Sequence, residues 1–304
     1  MNDVTNTIDK SQTYYRFNNE TKKHYDFTYS DGLNVLNEKL NHGPICKTNG
    51  LYFTTKEYIS GYSSYGVFLC VVQLPNDLDF ECWSEHYEYR ANKIYLEHKY
   101  DMRNLTDAIF VYENISKLSI DYFASIGNLD MIRWIYDNYP NDFIYTLASI
   151  DSAASKGYVY ILDWFYDNFP NKFKYTNNSI DMAITNDHIN ILQWFYDYFP
   201  NELKCITYNV NMTIINGHIN VLDWFHEHPE CKFEYTTNSI DKASANNHVN
   251  VLQWFHEHPE HEFKYTTNSI DMAIINGHLN VSQWFHDNFY EFNVKIDEKL
   301  KYFI

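Results

Sequence analysis

A tryptophan returns every thirty residues through the second part of this chain: Trp134, Trp164, Trp194, Trp224, Trp254 and Trp284. Neighbouring columns keep the same period. Two residues before each Trp stand Ile132, Leu162, Leu192, Leu222, Leu252 and Ser282, and one residue after stand Ile135, Phe165, Phe195, Phe225, Phe255 and Phe285. Fourteen residues before stand Ile120, Ile150, Ile180, Val210, Ile240 and Ile270. Repetition of this kind marks an array in which each unit covers the apolar face of the next, and it rules out reading these residues as one ordinary core.

The unit from Asn268, NSIDMAIINGHLNVSQWFHDNF, predicts two short helices. In the first, Asn268 to Asn276, Asn268 is expected to cap and Asp271 puts a carboxylate where unpaired N–H groups and the helix dipole favour it. Ile270, Ala273 and Ile274 form its apolar face, and Gly277 supplies the reversal at its end. The second, Leu279 to about Asn288, sets Leu279, Trp284 and Phe285 at helical spacing. Pro140, Pro170, Pro200, Pro229 and Pro259 lie in the polar stretches that end the second helices. Such a pair buries too little alone, so the reading is a mainly α solenoid of six 30-residue repeats from Ile115 onward. A C-terminal half-repeat closes it, where Leu300 falls thirty after Ile270.

These units resemble ankyrin repeats. The turn between helices matches in Gly217-His218 and Gly277-His278, with Asp187-His188 and Asn247-His248 as variants. The small residue of the first helix matches at Ala153, Ala183, Ala243 and Ala273, and INVLDWF (219–225) matches the second helix with Trp in place of a Leu. The period of thirty rather than 33 implies shortened fingers between repeats. The resemblance implies an extended protein-binding surface, with the turn histidines bridging backbone groups of successive units. With the segment before it, the array is similar to the ankyrin proteins of giant DNA viruses of mimivirus type, which carry a small N-terminal domain of unassigned role.

That segment lacks the period. Residues 1–13 read as a flexible terminus, 14–112 as a small α+β domain and 113–304 as the repeat array. GLYFTT (50–55), GVFLCVVQL (66–74) and ANKIYLEHKY (91–100) read as strands, Lys56 to Ser60 as a helical turn and Asn104 to Asn114 as a helix. Gly50-Leu-Tyr-Phe-Thr, the Ser/Tyr segment 60–65 and the strand Val67–Leu74 also resemble the NAD-binding core of ADP-ribosyltransferases. There Tyr52 would lie against the nicotinamide ring. An earlier His or Arg has no clear counterpart beyond His24 and no catalytic Glu is assignable, so NAD-dependent activity is the alternative and not the leading reading.

Charge narrows the partners. Of 304 residues, 23 are Lys or Arg and 40 Asp or Glu, a net charge of −17, which argues against nucleic acid and anionic membranes. From residue 115 onward the balance is 12 basic to 24 acidic, so a protein partner with a basic or polar surface is expected. The N-terminal residues lack a signal-peptide pattern and no apolar run approaches a membrane span. Cys46, Cys70, Cys82, Cys205 and Cys231 form no CxxC pair, so the expectation is a soluble, intracellular, monomeric protein without cofactor. His226-Glu-His228 and His256-Glu-His258, with His261 nearby, place histidines two apart where one helical face needs three or four, so no metal is expected.

The leading function is a non-enzymatic protein-interaction scaffold or adaptor, a viral one acting on host proteins. Its candidate contact residues are where the repeat breaks its own rule. The entry to the first helix reads Tyr-Thr-Asn-Asn-Ser at 175–179 and Tyr-Thr-Thr-Asn-Ser at 235–239 and 265–269. In the second unit Leu147 and Ala148 replace the polar pair. In the fourth, Tyr208 replaces the capping Asn, with Ile206 close by. Plain drift is the alternative at these four positions.

Overall fold

The computed structural model describes residues 8–40, 49–85, 87–201, 207–231 and 233–289, and the chain divides into two compact units, 1–150 and 151–304.

In the first unit the strands are β1 (Tyr14–Asn18), β2 (Lys23–His24), β3 (Phe27–Thr28), β4 (Gly32–Val35), β5 (Leu51–Thr54), β6 (Phe68–Gln73), β7 (Cys82–Glu85), β8 (Glu88–Ala91) and β9 (Lys93–Asp101). Seven of them form a sheet in the order β4-β9-β6-β1-β5-β8-β7, its paired strands antiparallel, and β2 and β3 form a separate hairpin. Aromatic and β-branched residues suit the half-covered pleat, and Tyr14, Leu51, Phe53, Cys70, Val72, Ala91, Ile94 and Leu96 join in its core.

The three strands read from the sequence are present. The central strand β1 is not among them, because Arg16 and Asn18 break its apolar alternation. Both are buried: Arg16 donates from Nε to Asn18 Oδ1 (2.7 Å) and from Nη1 to the Tyr52 carbonyl (2.9 Å), while its guanidinium lies 3.4 Å over the Tyr29 ring. The helical turn expected at 56–60 is present, with Tyr58 N and Ile59 N donating to the Thr55 carbonyl, and it runs on into a 3-10 helix over Ile59–Tyr65, anchored by fully buried Ile59. Gly50 allows the approach of another buried cation, since a Cβ there would lie 2.8 Å from that of Arg90, whose guanidinium covers the Trp83 ring at 4.4 Å. Helix α1 (Leu105–Asn114) starts where its cap predicts, with Asn104 accepting from Asp107 N. Next come α2 (Ile120–Ser125) and α3 (Leu129–Asn138); Tyr122 Oη donates to the Gly66 carbonyl (3.0 Å) and Asn128 Nδ2 to that of Met102 (2.8 Å).

From there the chain runs in helix pairs: α4 (Leu147–Ser155) with α5 (Val159–Asn168), α6 (Asn177–Thr185) with α7 (Ile189–Tyr198), α8 (Thr207–Asn216) with α9 (Ile219–Glu227), α10 (Thr237–Ala245) with α11 (Val249–Glu257), and α12 (Asn268–Ile275) with α13 (Leu279–Asn288). It is a mainly α repeat protein. The turn joining each pair needs a left-handed residue, met by Gly157, Gly217 and Gly277 at φ 75–76° and by Asp187 (59°) and Asn247 (68°), the non-glycine residues that tolerate it best. Phe165, Phe195, Phe225, Phe255 and Phe285 are at most 1% exposed. Trp194, Trp224, Trp254 and Trp284 are buried, whereas Trp134 and Trp164 are half-buried.

One expectation is corrected. Asn268 does not cap its helix, whose capping position is Thr267; the side chain that meets the orphan N–H groups at the helix entry is a threonine hydroxyl, with Thr146, Thr176 and Thr266 Oγ1 accepting from Ala148, Asn178 and Asn268 N at 3.1–3.2 Å. The hydroxyl wins because a carboxylate of the preceding repeat holds it in place. The expected half-repeat around Leu300 lies outside the described residues.

Candidate functional site

Three polar ladders join successive repeats and set the surface they present. In the first, the turn histidines reach back to a carbonyl of the previous first helix: His188 Nε2 to Ser155 O (3.1 Å), His218 to Thr185 O (2.7 Å) and His278 to Ala245 O (3.0 Å). This is the bridging use that the resemblance implies. In the second, the indole N–H donates to the residue thirty-one before it: Trp194 to Asp163, Trp224 to Gln193, Trp254 to Asp223 and Trp284 to Gln253, at 2.6–2.8 Å.

The third is a clasp between the Asp column and the next helix entry. Asp151 accepts from Thr176 N (3.0 Å), Thr176 Oγ1 (2.8 Å) and Ser179 Oγ, and Asp241 does the same with Thr266 N (2.9 Å), Thr266 Oγ1 (2.6 Å) and Ser269 Oγ. Asp121 repeats it with Thr146 and Ser149, and Asn211 with Thr236 and Ser239 through Oδ1. The sequence carries the signal, a Thr, a Ser and an Asp all at period thirty. Reading the Asp as a helix-dipole residue assigns it to its own helix, whereas its donors lie in the next repeat.

With that framework fixed, the exposed positions of the helix entry are free to vary. Leu147 (43% exposed) and Ala148 are both exposed, in the first turn of α4, where the equivalent Asn177, Asn178, Thr237, Asn238, Thr267 and Asn268 are polar. Ile144, 73% exposed, extends the break where Lys174, Glu234 and Lys264 stand in other repeats. Of the other two candidates, Ile206 lies outside the described residues. Tyr208 falls in α8, its side chain likewise outside them.

The first unit holds a separate feature that sequence reasoning assembles only in part. A cavity of about 210 Å³ is lined by Arg16, His24, Tyr25, Tyr52, Tyr62, Tyr65 and Glu88 among others. The β2–β3 hairpin carries His24 to 5.3 Å from the Tyr52 ring and 5.6 Å from that of Tyr65. Tyr25, at φ 51°, occupies a left-handed conformation unfavourable for a bulky side chain. Register places Glu88 of β8 opposite Thr54 of β5, two residues beyond Tyr52. Burial, with the Arg16 charge beside it, pushes the His24 imidazole from 6.5 down to about 4. The folded state therefore favours neutral His24, whose stabilising contribution is present above pH 6.5 and lost as pH falls toward 4. The pocket is thus aromatic, with a buried cation and a carboxylate in its lining.

Among the described residues, one group of metal-capable side chains converges, His226, Glu260 and His261. No helix among them is long and apolar enough to cross a membrane.

No protein-family model matches the chain. Among curated proteins it is similar to one named as an ankyrin repeat protein of Acanthamoeba polyphaga mimivirus, 31% identical over 140 residues, which is 42% of this chain and 68% of the relative. A second ankyrin repeat protein of that virus is 28% identical over 148 residues, 44% of this chain and 43% of the relative. An uncharacterized protein from the same virus is 36% identical over 96 residues, 30% of this chain and 70% of the relative. The helix pairs, their bridging turn histidines and this coverage agree: the chain belongs to the ankyrin-repeat proteins of mimivirus type.

Proposed function

We infer that the chain is a non-enzymatic scaffold or adaptor whose repeats bind another protein, with residues 14–112 as a small α+β domain and 113–304 as an array of six repeats and a terminal half-repeat. The observation that carries the contact site is the apolar break at Ile144, Leu147 and Ala148, exposed in one repeat where its neighbours are polar. The acidic balance of the array favours a partner with a basic or polar surface around an apolar anchor. The working form is a monomer inside the cell, and for a viral chain the partner is a host protein.

The test replaces the break by the rule of the repeat. The full chain carrying Ile144→Lys and Leu147→Thr keeps its melting temperature, because both side chains are exposed, and loses partner capture at least about tenfold. Undiminished capture by this variant would show that the contact surface lies elsewhere.

The pocket of the first unit favours a second reading. His24, Tyr52 and Glu88 line it together, although His24 comes from a hairpin of its own and Glu88 precedes the third strand, where the ADP-ribosyltransferase-like alternative places its Glu after that strand. NAD turnover by the full chain that disappears with Tyr52→Ala would promote this reading over the first.

A further inference from the structure

Within the second unit, His226 lies in the last turn of α9 while Glu260 and His261 lie in the turn after α11, one repeat further on. His226 Nδ1 is 3.1 Å from His261 Nε2 and 3.4 Å from Glu260 Oε1, and the three ligand atoms all lie within 4.8 Å of one another. Two ligands each about 2.05 Å from a tetrahedral zinc ion sit about 3.3 Å apart. Two of the three separations are thus already those of a coordination sphere, without an ion to impose them.

Aromatic packing sets the geometry. The His261 ring lies 4.1 Å from that of Phe233 and is stacked 5.3 Å from that of buried Trp254, and the His226 ring meets Trp254 edge-on at 6.2 Å. Rings held this way lose little freedom when a metal binds, and an apolar wall strengthens the field at the site. The repeat itself supplies a comparison. Thirty residues earlier the same columns hold Tyr196, Glu230 and Cys231, and there Tyr196 Oη donates to Glu230 Oε1. The array therefore brings these columns together as a matter of course, and at one interface they carry two imidazoles and a carboxylate. Spacing within each His-Glu-His motif could not reveal this, because the pair forms across 35 residues.

We propose that His226, Glu260 and His261 bind a zinc ion that clips two successive repeats together, with water in the fourth position. Imidazole and carboxylate ligands suit Zn²⁺, and each bond replaces a contact already made between the repeats. The test titrates zinc chloride into the chelator-stripped full chain by calorimetry, with His226→Tyr and His261→Ala as variants. His226→Tyr installs the pairing that Tyr196 makes with Glu230, so it keeps the fold while removing a ligand. One zinc per chain is expected, with a raised melting temperature and an affinity at least tenfold weaker in either variant. Cobalt in place of zinc should give the visible absorption of a tetrahedral centre, absent in His226→Tyr. No zinc binding by the parent chain, or equal binding by His226→Tyr, would overturn the proposal.

Discussion

Trp224→Ala is expected to destabilise the chain by about 3–5 kcal/mol, the usual cost of truncating a large buried aromatic. The indole is 4% exposed, stacks on His228 at a ring distance of 4.1 Å, meets Tyr196 edge-on and donates to Gln193 of the preceding repeat (2.7 Å). Truncation therefore opens a cavity and also leaves the Gln193 carbonyl without its donor. Urea denaturation followed by circular dichroism measures the loss. Trp164→Ala makes the comparison, because Trp164 is half-buried and should cost clearly less. Equal, small losses at both would mean that the tryptophans are surface residues.

Asp241→Ala should cost about 3 kcal/mol, because buried donors left without an acceptor forfeit their full desolvation energy. Asp241 is 8% exposed and Ser269 is fully buried, and the carboxylate accepts from Thr266 N, Thr266 Oγ1 and Ser269 Oγ. The array contains its own control. Asn211 occupies the same column and accepts from Thr236 and Ser239 through one oxygen. Asp241→Asn should therefore stay within about 1 kcal/mol of the parent, since only one acceptor oxygen is exchanged. Similar losses in both variants would show that charge, and not acceptor geometry, makes the clasp.

How much of this is legible in the sequence depends on the range of the interaction. Helix positions and the left-handed turns at Gly217, Asp187 and Asn247 follow from local chemistry repeated at a fixed period, so they are plain on sight. The Asp–Thr–Ser clasp is also periodic, yet its partners lie 25 and 28 residues apart, and a reading confined to one helix assigns the Asp to the dipole and the cap to the wrong residue. In the first unit there is no period to multiply the signal. Strands rich in β-branched residues, such as β6, stand out, while β1 is hidden by Arg16 and Asn18, whose burial depends on Tyr29, Tyr52 and each other. The same holds for the candidate sites. Leu147 and Ala148 can be named because fixed columns make a departure visible, whereas the meeting of His24, Tyr52 and Glu88 depends on tertiary contacts that no spacing encodes, and that of His226 and His261 on a pairing between columns of successive repeats.

The most direct test of the thirty-residue unit as the building block is a pair of deletions in the full chain. Removing residues 206–235 joins Cys205 to Thr236, so Asp181 meets Thr236 and Ser239 at the spacing its clasp requires. Because contacts in such arrays are between neighbours, this shorter chain should keep its helical circular dichroism per residue and a cooperative melt. Removing only 221–235 leaves a first helix without its second, and should lower the helical signal and abolish the cooperative transition. If the thirty-residue deletion unfolds the chain as completely as the fifteen-residue one, the helix pair of thirty residues is not the structural unit of this protein.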